Sequence, residues 1–328
     1  MKLSADIVIV GSGASGGVLA ATLAEKTDKK IILLEKGGFY KGSSIEQEEL
    51  KVRHLFAEGG TRGTKDGSMP VRGGQCVGGG TTVNVALCFD PIKSVWKKWK
   101  LEYGLDQYSF NSESNDYSIN GLNMSNALKD IRKRINIHET PDDMVNDNNR
   151  LFSKGCKAEG VSFKKFELNI KNCLECGFCA MGCKYDRKMG TMITYIADAI
   201  KNGVEVIHNF DVEKIKFSGK NQNKKASYIQ GDIIKAHKLS LPNKYQDGPV
   251  TISAGLIIIA AGAVESPSLL VRSKHPDPNN AIGRGLVIHP SLPIIGIQDK
   301  EIVNYRGITG SMYSDHFYES DGFYFECL

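Results

Sequence analysis

The stretch IVIVGSGASGGVLAATLAEK, Ile7 to Lys26, changes character twice within 20 residues. Its first four residues continue the apolar run Asp6 to Val10, which reads as a buried strand. Gly11-Ser12-Gly13-Ala14-Ser15-Gly16-Gly17 then breaks the strand, and VLAATLAEK is a strong helix former. Each glycine has a physical job at such a junction. Gly11 permits the tight turn, Gly13 lets a ligand's pyrophosphate approach the backbone, and Gly16 allows the helix to pack closely on the strand. The phosphates would lie at the helix N-terminus, beside Ser15, where amides and the helix dipole favour anions.

A second apolar run, Lys30 to Glu35 (KIILLE), ends in an acid nineteen residues after Gly16. Glu35 is placed to accept hydrogen bonds from a ribose hydroxyl pair, and a carboxylate there argues against a 2′-phosphate and so against NADP. This unit alone leaves NAD and FAD both open. An ordinary βα turn would need the strand and the helix but not the acid. The fold class expected is α/β, a Rossmann-like three-layer dinucleotide domain joined to an α+β substrate domain.

The bulk composition agrees with a folded enzyme. At 328 residues and 41% hydrophobic content, the chain can fill two domains with well-buried cores. Its net charge of +5 is spread along the sequence. The one lysine-rich run, KSVWKKWK from Lys93 to Lys100, interleaves lysines with tryptophans as a solvated helix would, and no nucleic-acid partner is expected. The longest apolar stretch, Ala254 to Val264, falls short of the roughly 20 residues a transmembrane helix needs. The N-terminus runs straight into the glycine turn and does not resemble a signal peptide, which gives a cytoplasmic expectation.

Further on, Arg72 to Pro91 (RGGQCVGGGTTVNVALCFDP) holds five glycines in its first nine positions. Backbone so bare passes close to something flat or charged, and the apolar residues after it anchor it to a core. VEVIHNFDV and EKIKF up to Phe217 alternate like strands, and a polar insertion follows around Pro242 to Pro249. TISAGLIIIAAGAVESPSLLVRS then supplies a second strand–turn–helix unit. Its strand is expected over Leu256 to Ala260, and its helix is expected to be capped by Glu265 and Ser266 with Pro267 in the first turn. The chain between the two glycine units holds a polar loop, FNSESNDYSING, and a helix expected to begin at Asp142.

Taken in order, IVIVGSGASGGVLAATLAE with LLEKGG, GGQCVGGGTTVNVALCFDP, AAGAVESPSLLVRS and IGRGLVIHP resemble the glucose–methanol–choline (GMC) family of FAD-dependent oxidoreductases. The resemblance runs from Asp6 to about Pro290. Within that family, the cysteine-rich segment and KMGTMITYIADAIKNGVEVI are similar to long-chain alcohol oxidases and sterol-oxidase-like members. The resemblance implies FAD as cofactor, an alcohol or sterol as substrate, and hydride transfer from the alcohol carbon to flavin N5 while a histidine takes the hydroxyl proton. It implies that Gly11, Gly13, Ser15 and Gly16 hold the pyrophosphate and Glu35 the adenosine ribose. By the same resemblance, Gly78, Gly79, Thr81 and Asn84 lie along the flavin, Val212 reads the adenine through its backbone, and Ala261 and Gly262 line the same cavity. His289 falls in what looks like a structural loop of the family and is not expected to be the base.

The family's catalytic histidine, that histidine's partner and the last flavin-contacting loop lie beyond the matched region. The chain is therefore expected to be an N-terminal fragment, half of a split gene or a degraded paralogue, which by itself binds FAD poorly and turns over little. The remaining half would then be a partner, beside the alcohol and an electron acceptor that is either oxygen or a redox carrier. The rival reading is a noncatalytic flavin or iron–sulfur electron-transfer module. The domains expected are a discontinuous FAD domain, 1–90 with 185–292, and a cap or substrate domain, 91–184 with 293–328.

NCLECGFCAMGCKYDRK, residues 172–188, sets the remaining question. Cys173, Cys176, Cys179 and Cys183 have the spacing C-x₂-C-x₂-C-x₃-C used for [4Fe–4S] ligation, although Lys184 stands where ferredoxins often carry proline. A structural zinc site would more commonly pair two knuckles across a longer loop. Gly177 and Gly182 also suit a tight loop of reduced thiols with no metal. Cluster, zinc and unligated loop all remain open.

Overall fold

The computed structural model describes residues 1–328 apart from 91, 104–107, 112–115, 120–121, 219–224, 305–306 and 309. Two compact units are present. The first comprises Met1–Asn84, Phe178–Asp186 and Gly190–Glu301, and the second Val85–Gly177, Arg187–Met189 and Ile302–Leu328. The segments expected for the cofactor domain were 1–90 and 185–292.

The first unit is built on a six-stranded sheet. Its strands are β1 (Lys2–Val10), β2 (Ile31–Leu34), β3 (Glu205–Ile207), β4 (Phe210–Ser218), β5 (Lys225–Ile233) and β6 (Gly248–Ile259), in the order β3-β2-β1-β6-β5-β4. The run β3-β2-β1-β6 is parallel, whereas β5 and β4 are antiparallel additions. Ile7 to Val10 and all of β2 are buried, as expected of central parallel strands covered on both faces. Alternation divides them between two cores. Val8, Val10, Ile32 and Leu34 face one core, with Phe210, Val212, Ile229 and Leu269. Ile7, Ile9, Ile31 and Leu33 face the other, with Ala20, Ala21, Ile196 and Ala199.

Three helices complete the layers: α1 (Ala14–Lys26), α2 (Tyr195–Lys201) and α3 (Gly262–Arg272). α1 buries Gly16, Gly17, Ala20 and Ala21, with Gly16 against the turn at the end of β1 and Gly17 against Thr191, on the chain leading into α2, and Ile196 within it. β6 is longer than the strand read from the sequence. Its register with β5 covers Gly248 to Ser253, and its register with β1 continues to Ile259. α3 also begins earlier than expected, at Gly262 with Ala261 as an uncapped N-cap, and this corrects the assignment of Glu265 and Ser266 as its caps. Pro267 therefore sits inside the helix. The N–H it lacks would have bonded the Ala263 carbonyl, which lies at the open, cleft-facing end of the helix.

The second unit has its own core of Ala86, Phe166, Leu168, Ile170 and Ile308. Glu167–Asn169 pairs with Leu87–Cys88 and Ile137–Glu139, while Met312–Ser314 pairs with Lys164–Lys165 and Phe325–Cys327. The helix expected from Asp142 begins instead at Asp147. Asp142–Met144 forms a separate 3₁₀ turn, and Asn146 caps the helix by accepting from Asn149 N–H at 3.0 Å. Part of the expected polar loop is strand, since Tyr108–Asn111 pairs with Asp116–Ile119. The rest of that loop lies outside the described residues.

Among the described residues, no helix is long and apolar enough to cross a membrane.

Candidate cofactor cleft

Gly11 to Gly13 carries the chain from β1 into α1, and this turn forms the floor of a cleft of about 960 Å³ in the first unit. Gly11, Gly13, Ser15, Glu35, Gly79, Thr81, Asn84, Val212, Ala261 and Gly262 all line it. These residues come from five separate parts of the chain. Gly16 and Gly78 do not line the cleft. Each sits behind it, where a side chain would strike the supporting structure.

The reason is visible at each glycine. A Cβ on Gly16 would stand 1.8 Å from the Gly11 carbonyl oxygen, and one on Gly78 would stand 2.4 Å from Thr82 Oγ1. Gly79, at φ +52°, brings two turns so close that its Cβ would meet Gly13 Cα at 2.8 Å. Gly13 is different. A Cβ there meets nothing within 4 Å, because it would project into open space. No side chain caps the first turn of α1 and no acid stands in it, so the amides of that turn face the cleft without a protein anion.

Glu35 lines the cleft from the end of β2 with only 7% of its surface exposed. Its Oε2 accepts from Ser12 N–H at 3.1 Å and from Ser12 Oγ–H at 2.6 Å, and its Oε1 accepts from Gly37 N–H at 2.9 Å. Burial pushes its carboxyl above the usual carboxylate range, and these hydrogen bonds work against that push. The carboxylate thus holds protein donors before any ligand hydroxyl reaches it. The sequence reading missed Ser12, which is fully buried between two fingerprint glycines. A serine whose neighbours have no side chains is the one signal that could have pointed to it.

Thr81 joins the cleft to the chain that returns near residue 190. Its Oγ1 donates to the Gly78 carbonyl at 2.7 Å, lies 2.9 Å from Thr191 Oγ1 and accepts from Thr191 N–H at 3.0 Å. Val212 flanks a register shift in β4, and its carbonyl accepts from Arg272 Nη2 at 3.3 Å. An adenine edge would share that carbonyl with Arg272. Another part of the wall is a hairpin-like excursion closed by a Gly63–Pro70 bridge. Arg62 Nη1 bonds Glu265 Oε1 at 2.9 Å, which ties the excursion to α3, and Arg62 Nε donates to the Val71 carbonyl. The lining carries four cations, Lys36, Arg62, Arg72 and Arg272, and three acids, Glu35, Asp211 and Glu265, of which Asp211 pairs with Lys36 at 3.1 Å and Glu265 with Arg62.

His289 also lines the cleft. Among the described residues, no group of three or more Cys, His, Asp or Glu side chains stands close enough to hold a metal ion, so the structure lends no support to the iron–sulfur or zinc reading of Cys173, Cys176, Cys179 and Cys183. The division between the units falls at Gly177/Phe178, between Cys176 and Cys179.

The lining suits an adenine-dinucleotide flavin on three counts. Uncapped helix amides and cations suit the pyrophosphate, Glu35 suits the ribose, and the apolar end formed by Leu34, Phe210, Val212 and Leu269 suits the adenine.

A family model described as GMC oxidoreductase matches residues 52–291. The long-chain-alcohol oxidase FAO3 of Arabidopsis thaliana is 29% identical over 316 residues, covering 93% of this chain and 39% of the plant protein. An uncharacterized GMC-type oxidoreductase of Mycobacterium tuberculosis is 27% identical over 325 residues, covering 97% of this chain and 47% of its own length. The chain thus spans less than half the length of these curated relatives. Among solved structures, pyridoxine 4-oxidase from Mesorbium loti superposes with a TM-score of 0.53 at 18% identity, covering 82% of this chain and 51% of its own. Formate oxidase of Aspergillus oryzae RIB40 also superposes with a TM-score of 0.53, at 14% identity, with 83% and 48% covered. At these identities the two structures speak to the fold alone.

Proposed function

Because the chain belongs to the GMC oxidoreductase family, we propose that its first unit binds FAD in the glycine-lined cleft and serves FAD-dependent oxidation of CH–OH groups. The observation that carries this reading is convergence. Turns at Gly11–Ser15, Glu35, Gly79–Asn84, Val212 and Ala261–Gly262 meet on one cavity, although they are spread over about 250 residues. The named activity of the plant relative supports a long-chain alcohol as the substrate class, with oxygen or a redox carrier taking the electrons.

When bound, flavin supplies an acceptor for the hydride that leaves the alcohol carbon. The chain's own residues do the holding. The amides of the first turn of α1, beginning at Ala14 and Ser15, would take the pyrophosphate. Glu35 would take a ribose hydroxyl, and Gly79 with Thr81 and Asn84 would border the flavin half. Arg62 and Glu265, bonded across the cleft, would keep the excursion over the cofactor and exclude water.

Titrating the chain with FAD while following flavin fluorescence tests this reading. Saturable quenching at one FAD per chain is expected, and Gly13→Val should abolish most of it at the cost of only the modest loss of apo stability that a branched residue brings to the N-cap of α1, because its Cβ enters empty cleft space. A wild-type chain that quenches no flavin, or a Gly13→Val variant that binds as tightly, would overturn it.

A further inference from the structure

Ser12 makes a set of contacts that a spacer between two glycines would not need. Its side chain is fully buried, its N–H and Oγ–H both donate to Glu35 Oε2, and the same Oγ accepts from Gly78 N–H at 3.1 Å. Its carbonyl accepts from Thr191 Oγ1 at 3.5 Å. One hydroxyl therefore links three turns that all border the cleft and lie 23 and 66 residues apart in the chain. The hydrogen-bonding direction is fixed by chemistry. A carboxylate can only accept, so the Ser12 proton points at Glu35 and the hydroxyl's lone pairs are left for Gly78 N–H.

We infer that Ser12 is a positioning residue: through its hydroxyl it fixes the Glu35 carboxylate, and the Gly78 turn with it, for a ligand that presents a ribose diol. This rests on the proposed FAD reading and deepens it. Ser12 lines the cleft, but its hydroxyl is fully buried and already committed to Glu35 and Gly78, so it acts on the diol through Glu35. Two charged side chains flank the carboxylate, Lys36 on the same loop and Asp211 on β4, and they pair with each other at 3.1 Å. Their charges offset one another, which leaves Ser12, first through its hydroxyl, and the backbone amides of Gly37 and Lys36 as the groups that stabilise the ionised form. Without the hydroxyl, burial acts on Glu35 with less opposition and the carboxylate protonates at higher pH. A protonated Glu35 is a weaker acceptor for a ribose hydroxyl than a carboxylate, so ligand affinity falls with it.

The test compares wild type, Ser12→Ala, Glu35→Gln and the double variant, all as the full chain. FAD affinity is measured from pH 5 to 9. In Ser12→Ala the acid limb of the affinity profile is expected to move to higher pH, with a loss of about 10-fold at the acid end, the size of a lost hydrogen bond to a charged group. In Glu35→Gln the limb should vanish, and adding Ser12→Ala on that background should change affinity less than 3-fold. A Ser12→Ala loss equal at every pH, or undiminished in the Glu35→Gln background, would overturn the inference by showing a purely structural role.

A second arm needs no flavin. The folded-state pKa of Glu35 lies above its unfolded value, so the folded chain holds the extra proton in the window between them. Stability relative to Glu35→Gln must therefore fall as pH rises through that window. Ser12→Ala should extend the fall to higher pH. A chain that takes up no FAD yet shows this extension fails the cofactor reading alone, and a chain whose window does not move fails the Ser12 inference alone.

Discussion

Two glycines three residues apart, Gly13 and Gly16, serve different masters. At Gly16 a Cβ would overlap the Gly11 carbonyl, which is backbone and cannot rotate away. Gly16→Ala should therefore separate α1 from the β1 turn and cost more than about 3 kcal/mol, in the range of severe core defects, seen as a large drop in the urea midpoint with or without FAD. At Gly13 the space is empty, and substitution acts on the ligand instead. The sequence showed both residues in one fingerprint but not this division of labour, because what each hydrogen atom of a glycine faces is set by turns elsewhere in the chain. Glu35 was legible as a cleft residue from its spacing. Its bonds to Ser12 were less so, since nothing in a motif says whether an acid's first partner is a ligand or its own scaffold.

At the level of elements, the cleft wall leans on a stacked histidine pair. The 3₁₀ segment Glu49–Leu55 carries His54, whose ring stacks on His237 at 4.2 Å with an 8° tilt and packs on Tyr40 at 4.6 Å. The same segment reaches the cleft, because Leu55 carbonyl accepts from the N–H of Gln75, a lining residue. Burial first, and the facing His237 second, hold the His54 imidazole below its ordinary pKa, while a hydrogen bond with the Lys51 backbone and then Glu46 pull the other way. His54 Nε2 is buried without a partner. A cation whose folded pKa is depressed binds more protons when unfolded, so stability is kept above the ordinary histidine value, about 6.5, and is lost as pH falls below it. His54→Phe should flatten the decline in urea midpoint between about pH 6.5 and 5, and an unchanged slope would show that His54 does not titrate with unfolding. None of this was visible in the sequence, where His54 and His237 stand 183 positions apart. The misplaced start of α3 has a similar origin. Ala261-Gly262-Ala263 offers no polar cap, so the first polar residues, Glu265 and Ser266, looked like the beginning of a helix already under way.

For the molecule as a whole, the sheet that carries the cleft has a core on each face, and one of them contributes Val10, Leu34, Phe210, Val212 and Leu269 to the lining. A ligand that bridges so many turns should stabilise the first unit by mass action. FAD at about 100 times its dissociation constant would add about 2.7 kcal/mol, which for a unit of some 200 residues means a rise of roughly 5–10 °C in its melting temperature. Calorimetry with and without FAD checks this, and an unmoved transition would count against the cleft as the cofactor site. At this scale the α/β class, the order of the strand–turn–helix units and the glycine turns were legible, because each is a local statement about which backbone can bend and which faces are apolar. The cysteines mark where local reading stopped. Their spacing is a short-range fact, whereas their grouping depends on the path of the chain around Gly177, where the two units divide.

The pairing of β1 with β6 carries a cost in time. Lys2 lies opposite Thr251 and Val10 opposite Ile259, so one edge of the first strand waits for a neighbour made about 250 residues later. At 5–20 residues per second on the ribosome, that wait lasts roughly 12–50 s. Throughout it, Ile7 to Val10 is a nascent apolar segment with a bare ladder edge, and only β2 is on hand to cover its other edge. The growing polypeptide therefore carries this apolar strand half-covered for most of the time that the first unit takes to be made.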